Sequence, residues 1–302
     1  DSWMDADRLF VVFLLLNIIK ALSYLLSLHL TNSLTGMTTA LVPTAIRMLR
    51  ESWPYFGIVL IMLPFTSLPA NFLQARSTVE QVGFFSLAQR LLGPMSLVME
   101  LALSAIFPNL SSMWIQDRVL YKNYVGSSFR YYLLLNISLC FAFSLFAKEI
   151  VLLLFPDSYL PAVKVSQIHV WYLYMALIDS MIGTILSSAN KERLILKFAI
   201  VRTSISAPIL YLASIYGAIG FALANLVLIC VFVAVLWYIF STVLHIKVMH
   251  APHFLVATLL LAALCYWIQD SPLTHKLIVG VAYATIAMAY VMKITNALRV
   301  RA

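Results

Sequence analysis

The chain has 302 residues, 63% of them hydrophobic and 11% charged, and its mean hydropathy is +0.94. A soluble domain carries roughly 25% charged residues, so the composition excludes an ordinary soluble protein and predicts a polytopic, all-α membrane protein. The net charge of +8 is spread over several loops, and this argues against a nucleic-acid partner.

Apolar windows long enough to cross a bilayer recur along the chain, and each crossing takes about 20 residues of helix. Spanning helices are predicted at residues 9–31, 54–75, 84–109, 130–155, 164–187, 196–215, 219–242, 254–270 and 276–294. The breaks between them are short and polar. The predicted fold is therefore a bundle of membrane helices without a separate soluble domain.

Basic residues indicate how the bundle is oriented, because Lys and Arg accumulate in cytoplasmic loops. Of the 20 Lys and Arg residues, thirteen fall in one set of connections and the C-terminal tail, and Arg202 is counted among them. Five fall in the opposite set, and Lys20 and Arg90 lie inside helices. This pattern predicts Asp1 outside and Ala302 in the cytoplasm. The start "DSWMDADRLF" has neither an initiator Met nor a signal peptide, so a fragment of a longer protein is expected.

The first predicted helix carries a lysine near its middle, where a charge costs about 2.5 kcal/mol or more. At 100° per residue, Asn17, Lys20 and Tyr24 share one face. Two interpretations stay open for Lys20: it borders a water-filled cavity, or it pairs with an acid on a neighbouring helix.

The predicted helix 84–109 carries a second polar face. This polar stripe comprises Ser86, Gln89, Arg90, Gly93, Ser96, Glu100 and Ser104. Two interpretations stay open for Glu100: it forms an ion pair with a residue on another helix, for example Lys20, or it has a role in transport. Pro94 removes a helical hydrogen bond and gives the helix a point at which it can bend.

A third polar face lies on the predicted helix 164–187, and includes His169, Tyr172, Asp179 and Gly183. A carboxylate at mid-depth is paired, protonated or exposed to water, and all three remain open for Asp179. His169 is best interpreted as a helix-packing residue.

Motifs of catalysis are missing from the sequence: there is no G-x-S-x-G, H-E-x-x-H or phosphate-binding glycine loop. His245, Lys247, His250 and His253 cluster in a predicted cytoplasmic loop without an acidic or thiolate neighbour, so no metal site is predicted there. We expect no enzyme activity and no cofactor.

Four segments together resemble one transporter family. Residues 82–112, "VGFFSLAQRLLGPMSLVMELALSAIFPNLSS", carry Val82, Gly83, Ser86, Ala88, Arg90, Phe107, Pro108 and Ser111 in the family's pattern. The segments "EIVLLLFPDSYLPAV", "NKERLILKFAI" and "PILYLASIYGAIGFALANL" follow in the expected order. The chain thus resembles polysaccharide flippases of the multidrug/oligosaccharidyl-lipid/polysaccharide exporter superfamily.

The resemblance implies a fold of two six-helix lobes. Residues 1–50 would hold the last helix of a mostly missing first lobe and a linker, 51–245 the second lobe, and 246–302 two extra helices. The implied function is flipping of a polyprenyl diphosphate-linked oligosaccharide, such as an O-antigen, capsule or exopolysaccharide repeat, across the bacterial inner membrane. The implied partners are that glycan, membrane lipids and other polysaccharide-assembly proteins.

The resemblance implies a cationic cavity, for which Lys20 and Arg90 are the matching candidates, and the polar faces described above supply the other candidate residues. Lys20 and Arg90 would bind the diphosphate, while Asn17, Tyr24 and Gln89 would contact the sugar. Asp179 and Glu100 are candidates for ion coupling, and Pro94 and Gly183 for bending. The rival hypotheses are a cation-coupled drug exporter of the same superfamily, a membrane polysaccharide polymerase or ligase, and an assembly scaffold.

Overall fold

The computed structural model describes residues 15, 18–20, 22–23, 41–246, 251–268 and 271–299. Every regular element in these ranges is helical, so the all-α prediction is confirmed. The chain divides into two compact units, Asp1–Pro54 and Tyr55–Ala302.

Helices account for nearly all of the described backbone. They are α1 (Leu41–Arg76), α2 (Val79–Gln116), α3 (Arg118–Leu154), α4 (Leu160–Ser188), α5 (Glu192–Ala213), α6 (Gly217–Leu244), α7 (Ala251–Ile268) and α8 (Leu273–Arg299). Single 3-10 turns, Asp157–Tyr159 and Ser214–Tyr216, precede α4 and α6.

Several helices extend well beyond their predicted apolar windows. Helix α1 is already helical at Leu41, ahead of the predicted start at residue 54, and α3 begins at Arg118 rather than at residue 130. The Asp117 side chain caps α3 by accepting hydrogen bonds from the backbone N–H groups of Val119 at 2.7 Å and Leu120 at 3.1 Å. Hydropathy detects only the apolar part of a helix, whereas capping decides where the helix begins.

Five described stretches are long and apolar enough to cross a membrane, judged by length and composition. They are Val79–Gln116, Arg118–Leu154, Asp157–Ser188, Glu192–Leu244 and Leu273–Met292, and the fourth comprises α5 and α6 in succession. A shorter apolar helix covers Val256–Ile268. The chain is thus a multi-pass membrane protein; most of the predicted span 9–31 lies outside the described residues.

Helix α4 forms the centre of the second unit and packs against α2, α3 and α6. Tyr174, Met181 and Ile185 of α4 are buried in the main core together with Phe129 of α3 and Phe240 of α6. Because α4 is covered on several sides, its polar residues must find their partners within the protein.

Helices α7 and α8 are joined to α3 and α4 by polar contacts. Thr258 of α7 donates a hydrogen bond to the Tyr174 hydroxyl at 2.9 Å, and the hydroxyls of Ser138 and Tyr283 lie 2.9 Å apart. Lys276 of α8 is 1% exposed, and its Nζ lies 2.7 Å from Glu149 Oε1. These contacts attach the two C-terminal helices firmly to the second unit.

A tight turn at Gly217 connects α5 to α6. Gly217 has φ +69°, and the Gln81 side chain accepts a hydrogen bond from the Ala218 N–H at 2.8 Å. Since few non-glycine residues adopt this backbone conformation, Gly217 is required for the turn.

Candidate functional site

The two faces of α2 differ sharply in chemistry. Phe85, Leu92 and Met99 are buried in the core, whereas Gln89, Arg90, Gly93, Glu100 and Ser104 of the polar stripe are exposed. An isolated charge on an apolar helix is costly in hydrocarbon. The stripe therefore has the chemistry of a surface that faces water or a polar ligand.

Pro94 lies beside the stripe, one turn from Arg90. The carbonyl of Arg90 would normally accept a hydrogen bond from the N–H of residue 94, and proline has none. Helix α2 nevertheless continues through Pro94 as a single element. Bending at Pro94 stays a prediction.

Arg90 and Glu100 do not neutralise each other. Ten residues of helix separate them by about 15 Å along the axis, and within the described part of the chain neither takes part in an ion pair. Both charges are exposed. One helix face thus offers a cation and an anion at different depths.

Asp179, by contrast, is paired. Arg202 Nη1 donates to Asp179 Oδ2 at 2.6 Å, and the two side chains are 21% and 18% exposed. The sequence-based assignment of Arg202 to a cytoplasmic connection is wrong, because this residue lies ten positions into α5. Counting basic residues on each side of the membrane cannot identify an arginine whose charge is paired with a carboxylate on a neighbouring helix.

The Asp179–Arg202 pair leaves some polar atoms without partners. Among the described residues, Asp179 Oδ1 and the neighbouring Thr203 Oγ1 are buried without a hydrogen-bond partner, while Arg202 Nη2 lies 3.4 Å from the sulfur of Met62. Asp179 thus adopts the paired state among the three considered for it. Its role in ion coupling remains a prediction.

His169 is 5% exposed and lies between two aromatic rings. Its ring centroid is 5.0 Å from that of Phe85 and 4.9 Å from that of Tyr172, on which it stacks. The Nδ1 atom has no hydrogen-bond partner. The structure agrees with a packing role, and the polar face of α4 is largely covered by neighbouring helices.

Gly183 lies on the same face of α4 and is partly buried. A Cβ built on it would meet no atom within 4 Å. Close packing does not explain this glycine, and its role as a bending point stays a prediction.

Lys20 belongs to the first unit, where it is helical and exposed. Its carbonyl accepts a hydrogen bond from the Ser23 hydroxyl at 2.7 Å. Asn17 and Tyr24, its predicted companions, lie outside the described residues.

Most of the predicted histidine cluster also lies beyond what the structure describes, including Lys247, His250 and the side chain of His253. His245 follows α6 with a left-handed φ of 51°. Among the described residues, no three His, Cys, Asp or Glu side chains are grouped to hold a metal ion.

One feature was not predicted, a cavity of about 370 Å³ between α2 and α3. Tyr124, Tyr131 and Leu135 of α3 line it, and their spacing of seven and four residues is that of one helix face. That spacing was visible in the sequence, but nothing in it indicated a gap opposite α2.

The fold matches that of a known transporter. The solved structure "Lipid II flippase MurJ, inward closed conformation" aligns with a TM-score of 0.64 at 14% sequence identity, over 83% of this chain and 56% of the flippase. The chain therefore spans little more than half of that protein. No protein-family model and no curated protein matches the sequence. The likeness shows a shared fold.

Proposed function

We propose that the chain belongs to a flippase that moves a polyprenyl diphosphate-linked oligosaccharide across a bacterial inner membrane by alternating access. The observation that carries the proposal is the exposed polar stripe of α2, whose Arg90 has no ion-pair partner among the described residues, in a fold shared with a lipid II flippase. An O-antigen, capsule or exopolysaccharide repeat is the proposed glycan. The N-terminal end lies outside and the C-terminus in the cytoplasm.

Arg90 and Lys20 supply the cations that a diphosphate requires inside a membrane. Gln89, with Asn17 and Tyr24, supplies hydrogen-bonding groups for sugar hydroxyls. Bending of α2 at Pro94 and of α4 at Gly183 would accompany the conformational change. Glu100 and Asp179 would respond to the coupling ion. Within this set, Glu100 is exposed and ready to bind a cation, whereas Asp179 would first have to release Arg202.

A cation or drug exporter with the same fold is the second candidate, because Glu100 is exposed on the same helix face as Arg90. A carboxylate in a cavity favours cationic substrates, and an arginine favours anionic ones. The two hypotheses therefore depend on different residues of one stripe.

Measuring how far a ligand stabilises the purified protein against unfolding distinguishes the flippase from the cation or drug exporter. A polyprenyl diphosphate-linked glycan at a concentration about 100 times its Kd should stabilise the purified protein by about 2.7 kcal/mol. Arg90→Ala should remove this stabilisation, and Glu100→Gln, the matched control on the same face, should retain it. Stabilisation by a lipophilic cation instead, lost in Glu100→Gln, would favour the exporter.

A further inference from the structure

The cavity between α2 and α3 is large enough for part of a ligand. Its walls are formed by Ala102 and Ile106 of α2 and, on α3, by Tyr124, Ser127, Ser128, Tyr131, Tyr132 and Leu135. Its volume of about 370 Å³ lies within the range of ligand pockets.

The lining is almost entirely carbon, although three tyrosines contribute to it. The Tyr132 hydroxyl donates a hydrogen bond to the Leu177 carbonyl at 3.2 Å, and the Tyr124 hydroxyl accepts one from Asn109 at 3.3 Å. These two hydroxyl groups are already bonded within the protein, and the exposed surface of the lining is predominantly apolar although Tyr131, Ser127 and Ser128 also contribute to it. The cavity therefore suits a hydrocarbon chain rather than a sugar or an ion.

The cavity lies where α3 changes from polar to apolar sequence. Lys122 and Arg130 precede the change, and the apolar run "YYLLLNISLCFAF" begins at Tyr131. Tyrosines are enriched in membrane proteins at the interface where lipid headgroups meet acyl chains. The cavity is partly open at the protein surface, so a lipid chain can enter it from outside the protein.

The surface of α2 connects the cavity to the polar stripe. At 100° per residue, Leu101 and Val98 lie between Glu100 on the stripe and Ala102 at the cavity. Leu101 is 60% exposed and Val98 48% exposed. An apolar band thus leads around α2 from the polar stripe to the cavity.

We propose that this cavity holds the polyprenyl chain of the substrate while the diphosphate and sugar occupy the polar stripe. The inference rests on the proposed function, and it adds a separate site for the lipid. A polyprenyl diphosphate has the required order of groups: a charged head, then a long apolar chain that can follow Leu101 and Val98.

Photo-crosslinking tests the proposal directly. A polyprenyl diphosphate without sugar, bearing a photoreactive group in its chain, is bound to the purified protein, and the labelled peptides are mapped. Labelling is expected at residues 102–106 and 124–135. Ala102→Trp fills the cavity and should lower the labelling yield about tenfold. Ala234→Trp, on the exposed face of α6, should leave the labelling yield unchanged.

A second cavity-filling variant controls for loss of labelling through misfolding. Leu135→Trp also fills the cavity, and Leu135 is 41% exposed, so the larger ring has room. Loss of labelling in both cavity variants, with unfolding temperatures near that of the wild type, supports the proposal.

The proposal would be overturned if no labelling occurred at the cavity. It would also be overturned if an unlabelled diacyl phospholipid competed as well as unlabelled polyprenyl diphosphate, because the cavity would then be a site for ordinary membrane lipid. Failure of the flippase function is distinguishable, because labelling would then persist in a protein that moves no glycan between leaflets.

Discussion

Asp179 and Arg202 form a partly buried ion pair between α4 and α5, so each should depend on the other for stability. Asp179→Ala leaves an arginine unpaired in the membrane, and we expect it to lower the free energy of unfolding by about 2.5–3.5 kcal/mol. Arg202→Ala should also destabilise. The double variant should cost clearly less than the sum of both, measured as a thermodynamic cycle in detergent.

The exposed pair Arg47–Glu51 supplies a control, since its side chains are 79% and 65% exposed. Glu51→Ala should leave the unfolding temperature within error, because exposed ion pairs contribute little. Additive effects of the two substitutions at Asp179 and Arg202 would show that this ion pair does not stabilise the protein.

Arg90 should matter for transport rather than for folding. It is exposed on α2, and removing its charge makes insertion into hydrocarbon easier. Arg90→Ala should therefore reduce glycan flux about tenfold or more at unchanged protein abundance, whereas Arg90→Lys, which keeps the charge, should retain part of the flux. Reduced abundance of Arg90→Ala would instead indicate a structural role.

The individual charges show what residue patterns can predict. Helical periodicity placed Arg90 and Glu100 on one face of α2 without any knowledge of neighbours. The partner of Asp179 could not be predicted, because it lies 23 residues away on another helix and depends on how α4 and α5 pack. The position of Lys276 shows the same limit: its sequence neighbours do not indicate that it is buried against Glu149 of another helix.

The turn between α5 and α6 should tolerate no side chain at Gly217. An added Cβ would lie 2.8 Å from Gln81 Oε1, and φ is +69°. Gly217→Ala should destabilise the protein by about 1–3 kcal/mol, as measured by thermal unfolding. Gly126→Ala, in the middle of α3 with open space around it, should be neutral or stabilise by about 0.5–1 kcal/mol. Equal behaviour of the two variants would contradict this account.

Helix α8 should loosen when its buried lysine is removed. Lys276→Ala leaves Glu149 without its ion-pair partner, and Cys265 of α7 lies in the small core between α3, α7 and α8. We expect maleimide labelling of Cys265, which is 3% exposed in the native protein, to increase, while Cys140 in the main core stays unreactive.

Lys164→Ala, an exposed residue of α4, is the matched control and should leave labelling of Cys265 unchanged. If Lys276→Ala behaves like this control, the ion pair does not hold α8 in place.

Helix positions were largely predictable, and helix ends were not. Hydropathy located the apolar centres of α2 to α8, but α1 is already helical 13 residues before its predicted window and α3 begins 12 residues before its own. The additional helical turns are polar enough to resemble loops. A hydropathy average over many residues does not detect a single capping residue such as Asp117.

For the molecule as a whole, the all-α membrane fold could be predicted from sequence. The observed fold is shared with a lipid II flippase structure at 14% identity. The cavity between α2 and α3 could not be predicted, since it exists only because two helix faces leave space between them.

The central claim is that the protein moves a polyprenyl diphosphate-linked glycan between leaflets. The most direct test reconstitutes in liposomes the full-length flippase to which the chain is proposed to belong, and follows the leaflet position of such a glycan for the wild type and for Lys20→Ala. We predict movement that falls sharply in Lys20→Ala at equal protein insertion. No movement of several glycans, even under imposed proton and sodium gradients, would contradict the account.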